Sequence, residues 1–100
     1  MTTHALDMVT GVSLQILPVD TKKAANPNSL QVDPLIAWTD KNDIGFGPGK
    51  ALQPGEVIVV LNPPKKIGGV NLVQVAITRG SEVIEAWVHY GPLKVRSQRI

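Results

Sequence analysis

The chain contains no cysteine, which excludes disulfides and thiolate metal sites. It has four aromatic residues in 100: Trp38, Phe46, Trp87 and Tyr90. With 43% hydrophobic residues, the core must therefore be built mainly from Val, Ile and Leu. No run approaches the roughly 18 apolar residues of a membrane helix. The segment Met1–Gly11 has no Lys or Arg and carries Asp7, unlike the basic start of a secretory leader. Charge is also scarce. Ten basic and eight acidic residues leave a net +2, short of the concentrated basic face of a dedicated nucleic-acid binder. These absences lead to the expectation of a product that is cytoplasmic at synthesis, or is assembled from the cytosol, and makes no membrane contact.

What is present is a β pattern. The length suits a single domain over residues 1–100, large enough to bury a core without covalent staples. Met1–Thr10 has no clear period and reads as an arm, or as the start of a strand at Met8-Val9. Val12, Leu14 and Ile16 alternate with Ser13 and Gln15, a first strand with one wet side, and Pro18 ends it. Asp20–Asn28 reads as a polar loop, Ser29–Val32 as a short strand, and Leu35–Thr39 as a short apolar run holding Trp38. Asp40–Gly55 has four glycines and two prolines in sixteen residues and reads as the longest loop. Phe46 is its one aromatic group, placed either on the body of the domain or against a partner.

The second half is more regular. Strands are predicted at Glu56–Leu61, Val70–Thr78, Val83–Tyr90 and Leu93–Ser97, separated by Asn62–Gly69, Arg79–Ser81 and Gly91-Pro92. Val73, Val75 and Ile77 point inward, as do Ile84, Ala86, Val88 and Tyr90. Leu93 and Val95 join them, leaving Lys94 and Arg96 outside. Glu56–Leu61 is apolar on both faces. Val57, Val59 and Leu61 are taken as the inner set. Ile58 and Val60 then lie outside, beneath the N-terminal segment or against another chain.

This half resembles the SH3-like barrel family. Leu52-Gln53-Pro54-Gly55-Glu56-Val57 is similar to the turn that leads into the family's strand, and Asn62–Gly69 to its variable loop. Val70–Val88 is similar to its hairpin-linked pair, His89–Pro92 to its kink and Leu93–Val95 to its closing strand. Ala86-Trp87-Val88-His89-Tyr90-Gly91-Pro92-Leu93-Lys94-Val95 is the closest stretch. The resemblance implies an all-β fold: a small SH3-like barrel over about 52–97, with an N-terminal extension of short strands and long loops. The chain departs from the family's polyproline site. Asn71-Leu72 stands where that site has a tryptophan, His89 replaces its proline, and Pro92 replaces its tyrosine. The implied fold carries over without that groove.

Chemistry-bearing patterns are few. His4 and His89 are far apart in the chain. His89 shares a strand face with Glu85, a weak acid–base pairing. Asp40-Lys41-Asn42-Asp43-Ile44-Gly45 resembles the opening of a calcium loop, but Ile44 holds the fifth position and Ala51 the twelfth, where a bidentate glutamate is needed. Gly45–Lys50 has the wrong spacing for a phosphate loop, and no helix follows it. No catalytic residue, metal site or cofactor is assigned, and no enzyme is expected. The outward apolar residues carry more information. Trp87 and Val83 share an outer strand face with His89, to be covered either by the chain's own N-terminal segment, with Trp38 beside them, or by another chain, and tryptophan is favoured at interface hot spots. The expected interface is Ile58, Val60, Val83, Trp87, His89 and Phe46, and the expected partners are other protein chains or copies of itself. The expected role is a non-catalytic structural component of an assembly, such as a connector, decoration or tail-type accessory protein of a virus particle. The alternative is a nucleic-acid-binding module using Lys65, Lys66, Lys94, Arg96 and Arg99 on phosphates.

Overall fold

The computed structural model describes residues 8–100. His4 and most of the expected N-terminal arm lie outside the described residues. Seven strands form two sheets, one of five strands in the order β6-β5-β4-β1-β7 and one of two, β2-β3. The fold is all-β, and the sheets do not close into a barrel.

Strand β1, Ser13–Ile16, follows the alternation of its sequence: Val12, Leu14 and Ile16 are buried, Ser13 and Gln15 half-buried. It lies antiparallel between β4 and β7, with Leu14 opposite Ile58 on one side and Ile16 opposite Ser97 on the other. After Pro18 the polar stretch forms two short helical turns instead of an open loop. Asp20 Oδ1 accepts from the amides of Lys22 and Lys23, capping α1 at Thr21–Ala24. Asn26 Oδ1 accepts from Asn28 N and starts the turn Pro27–Ser29. Side-chain oxygens that satisfy free amides favour such turns over extended chain. Leu30 then takes a left-handed backbone, φ 60°, so the strand expected over Ser29–Val32 does not form.

Strand β2, Leu35–Ala37, lies in the expected apolar run and pairs as a wide hairpin with β3, Lys50–Leu52, which lies inside the segment expected to be a loop. Gly49 makes this possible. Its φ is 59°, and a Cβ there would lie 2.3 Å from Ile36 Cγ2. Strand β4, Val57–Ile67, runs on through Asn62–Ile67, which the sequence marked as a loop. Two register irregularities, at Val60/Asn62 and Asn62/Lys65, let Pro63 and Pro64 pass without breaking the ladder to β5. Gly68-Gly69, both left-handed, turns into β5, Val70–Arg79. Gly80-Ser81 turns into β6, Glu82–His89.

The expected kink and closing strand are rearranged. Tyr90–Val95 forms a short helix, α2, with Pro92 in its first turn, where no amide is needed. The last strand, β7, is Ser97–Arg99. The core is aliphatic, as composition requires. Met8, Val12, Leu14, Ile16, Leu35, Leu52, Val73, Val75, Ile77, Val88 and Leu93 are among its members, and Tyr90 packs against it.

Two assignments are reversed. Ile58 and Val60 are 0% exposed and belong to this core, whereas Val57 is 43% exposed. Ile58 faces Leu14 and Ile77 in neighbouring strands, and Val60 faces Val75, which puts all of them on one sheet face. Because β4 is apolar on both sides, alternation alone could not choose between them, and a one-residue slip exchanges the faces. Arg96 is also inside, 1% exposed. Its Nε donates to Leu17 O at 2.8 Å and its Nη1 to Val32 O. The guanidinium thereby ties the end of β1 and the chain before β2 to the C-terminal helix. At the start of β4, Arg79 makes a bidentate pair with Glu56, Nε–Oε2 2.9 Å and Nη2–Oε1 3.1 Å, and Nη2 also donates to Ala51 O. The Arg79 hydrogen bonds hold the Glu56 carboxyl below its ordinary value, against a smaller opposing effect of burial.

Replacing Arg96 with Met would keep most of its bulk but leave Leu17 O and Val32 O unpaired. Urea denaturation should show a loss of about 3 kcal/mol, against less than about 0.5 kcal/mol for Lys94→Met on the exposed side of α2. The Glu56 pair predicts a pH signature. Because its folded pKa is depressed, its contribution is complete above the ordinary value of 4.5 and is lost as pH falls through the folded value. Glu56→Gln should therefore cost about 1 kcal/mol near pH 7. The gap to the parent should close in acid, as read from chemical denaturation across that range.

Candidate interaction surface

The face of the large sheet opposite the core is assembled by register. Thr78 lies opposite Val83, Ala76 is flanked by Val59 and Glu85, and Gln74 is flanked by Asn62 and Trp87. Side chains paired across strands share a face, so Val57, Val59, Val83 and Trp87 look outward together. Val83 is 63% exposed, and Val57 joins it at the same end of the face. Thr78, Gln74 and Glu85 place polar groups among these residues.

Trp87 is half-buried. Part of its cover comes from its own chain. Trp38 N donates to Trp87 O at 2.9 Å and Trp87 N to Trp38 O at 2.7 Å, laying the chain after β2 along the outer edge of β6. The indole of Trp38 donates to Gly47 O and meets His89 edge-on, with ring centroids 5.5 Å apart. Trp87 also lines a cleft of about 430 Å³ with Asn62, Pro63, Pro64 and Lys65. The prolines of the β4 irregularity and the indole form its apolar walls.

Phe46 stands at the far end of this side. Asp40 Oδ1 accepts from Asn42 N, and Asp43 O accepts from the amides of Phe46 and Gly47, so the loop has defined turns. These turns push Phe46 outward to 91% exposure, and it does not pack on the body of the domain. Beside it, Ile44, Ile67, Val70 and Leu72 line a second cleft of about 400 Å³. Val70 and Val57 are exposed apolar residues that the sequence did not single out. The register that puts β4 and β5 side by side is what brings them to the surface.

The structure brings Val83, Trp87 and His89 onto one face and sets Phe46 on the loop beside it. It removes Ile58 and Val60, which the core encloses. Glu85 and His89 share that face but lie four residues apart along an extended strand, roughly 13 Å, so they form no hydrogen-bonded pair. Of the basic set, Lys65 and Lys66 sit on the far part of β4, Lys94 is on α2 with its ammonium 5.9 Å from the Tyr90 ring centroid, and Arg99 is on β7. Arg96 is withdrawn, since a buried guanidinium bonded to two carbonyls is not free to meet a phosphate. Among the described residues, no helix is long and apolar enough to cross a membrane. Comparison with known proteins returns no matching family model, curated relative or solved structure.

The two faces of β4 can be told apart by experiment. Ile58→Ala should cost about 3 kcal/mol, since it opens a cavity in the core, whereas Val57→Ala should cost less than about 1 kcal/mol. Thermal or urea denaturation of the two variants reads the difference, and equal costs would reverse the assignment.

Proposed function

We propose that this chain is a non-catalytic assembly protein. It docks on other protein chains through the outer face of β4–β6 and the Phe46 loop. The observation that carries this reading is the placement of Val57, Val83 and Trp87 on one sheet face, with Val83 largely in water and no element of the described chain over it. Burying such a face yields roughly 25 cal/mol per Å² of apolar surface. Its half-exposed tryptophan is the residue type most favoured at the centre of an interface. The setting we propose is a large particle, such as a virion, with this chain as a connector, decoration or tail-type component.

An SH3-like fold is part of the same proposal. The succession of β4, the hairpin-linked β5 and β6, the one-helix passage of α2 and the short closing strand β7 supports it. The resemblance then extends back to β1, because β7 closes against that strand. The Trp87 cleft lies among Pro63, Pro64 and Lys65, so docking would use the outer face of β6 and the irregular part of β4.

Sedimentation of extracts from cells that make the chain tests the assembly role. The parent should appear in a fraction much heavier than the free protein, and nuclease treatment should leave it there. Val83→Asp should move most of it to the free position, since an exposed substitution of this kind changes stability by only about 0.5 kcal/mol. A heavy fraction that persists in the variant would sink docking through this face. A heavy fraction that collapses under nuclease would favour the basic residues and nucleic acid.

A further inference from the structure

The large sheet is open at its edges, and the edges differ in kind. Beyond Leu61, the side of β4 away from β5 carries Pro63 and Pro64, which have no amide to offer, followed by Lys65 and Lys66. Prolines and lysines are devices that keep a second strand from adding. Strand β7 is three residues long and presents exposed Gln98 and Arg99. In the small sheet, Ala51 O on β3 is already taken by Arg79 Nη2.

The edge of β6 carries no proline and no lysine, and half of it is already used as a rail. Trp87 directs both its backbone groups away from β5, because both bond to Trp38. By the two-residue period of a strand, Glu85 and Val83 direct theirs the same way, while Ile84, Ala86 and Val88 pair with β5. The chain leaves the rail after Trp38, where Asp40 turns it into the next helical turn. Among the described residues, nothing bonds the backbone N–H or C=O of Val83 or Glu85, and both residues are exposed. The side chains beside this free rail are acidic. Glu82 and Glu85 are exposed, no cation of the described residues forms an ion pair with either, and the nearby Arg79 is engaged by Glu56.

We infer that the free half of the β6 edge takes an extended, basic segment of a partner chain as an added antiparallel strand, continuing the rail that Trp38 begins. The backbone of Val83 and Glu85 supplies the pairing. The two carboxylates select lysine or arginine at the facing positions, and Val83 and Ile84 select apolar residues between them. Charge decides against a second copy of β6 as the occupant, since that would set Glu82 and Glu85 near their own counterparts. This inference rests on the assembly reading, and it names the chemistry of the partner at that surface.

The test uses the whole chain, isotope-labelled, with a capped peptide Ser-Lys-Val-Val-Lys-Ser at millimolar concentration, and amide hydrogen exchange by NMR as the readout. In the free protein, Val83 and Glu85 should exchange near the unprotected rate while Ile84 and Ala86 are protected. The peptide should raise protection at Val83 and Glu85 by about tenfold or more. A control peptide with Glu in place of Lys, and one N-methylated on the bonding side, should do neither. Three outcomes overturn the inference: no added protection, equal protection by the Glu peptide, or protection at Val83 and Glu85 already present in the free protein. In the last case, dependence on protein concentration would assign the rail to a second copy, and independence would assign it to the chain itself. Val83→Asp leaves this backbone in place. A chain that loses its heavy fraction on that substitution yet ignores the peptide would keep its docking face and lose only the added strand.

Discussion

Leu14 opposite Ile58 is the pairing on which the rest of the molecule depends. Strand β1 is only four residues long, yet it lies between β4 and β7 and joins the two ends of the chain through one seam. Its register decides which side of β4 is inside. Once Ile58 and Val60 face the core, Val57 and Val59 must face away, and the hairpins of β5 and β6 carry that choice to Val83 and Trp87. A slip of one residue would invert every one of these positions. The surface proposed for docking is thus the reverse side of the packing that stabilises the fold.

Arg96 works on the same seam from the other end. A buried guanidinium is costly unless its donors are satisfied, and here two carbonyls from distant parts of the chain accept from it. That arrangement closes the long connection between β1 and β4 against α2 and β7, alongside the burial of its own Leu35, Ala37 and Leu52 in the core. The Glu56–Arg79 pair does a comparable job on the β4–β5 side, fastening the turn before β4 and the β3 backbone to the end of β5. With few aromatic groups and an aliphatic core, the polar clamps fix where the irregular segments lie.

The long connection also has a second consequence. By placing Trp38 on the outer edge of β6, it covers half of that edge and stops. The exposed apolar face, the Trp87 cleft and the uncovered backbone of Val83 and Glu85 therefore adjoin one another. Each alone is an ordinary feature of a small sheet protein. Together they place apolar area, an aromatic anchor and free backbone pairing on one side, which is the combination that protein–protein contacts use.

Local pattern alone determined the all-β character, the aliphatic core, the inward residues of β1, β5 and β6, and the outward positions of Val83 and Trp87. Each of these follows from a period of two, or from a turn residue, within a few positions of chain. It also implied that β4 had a side in need of cover, but it assigned that side to Ile58 and Val60, which the structure places in the core. Only the tertiary structure decided that Ile58 and Val60 are core, that Arg96 points inward, that Lys50–Leu52 is a strand and that Asn62–Ile67 continues one. The physical reason is common to all four. Which face of a two-sided strand is buried, whether a charge finds carbonyls to meet it, and whether a glycine-rich or proline-bearing stretch finds a ladder all depend on residues far away in the chain. In this protein those residues are Leu14, Leu17, Val32, Leu35 and Leu72.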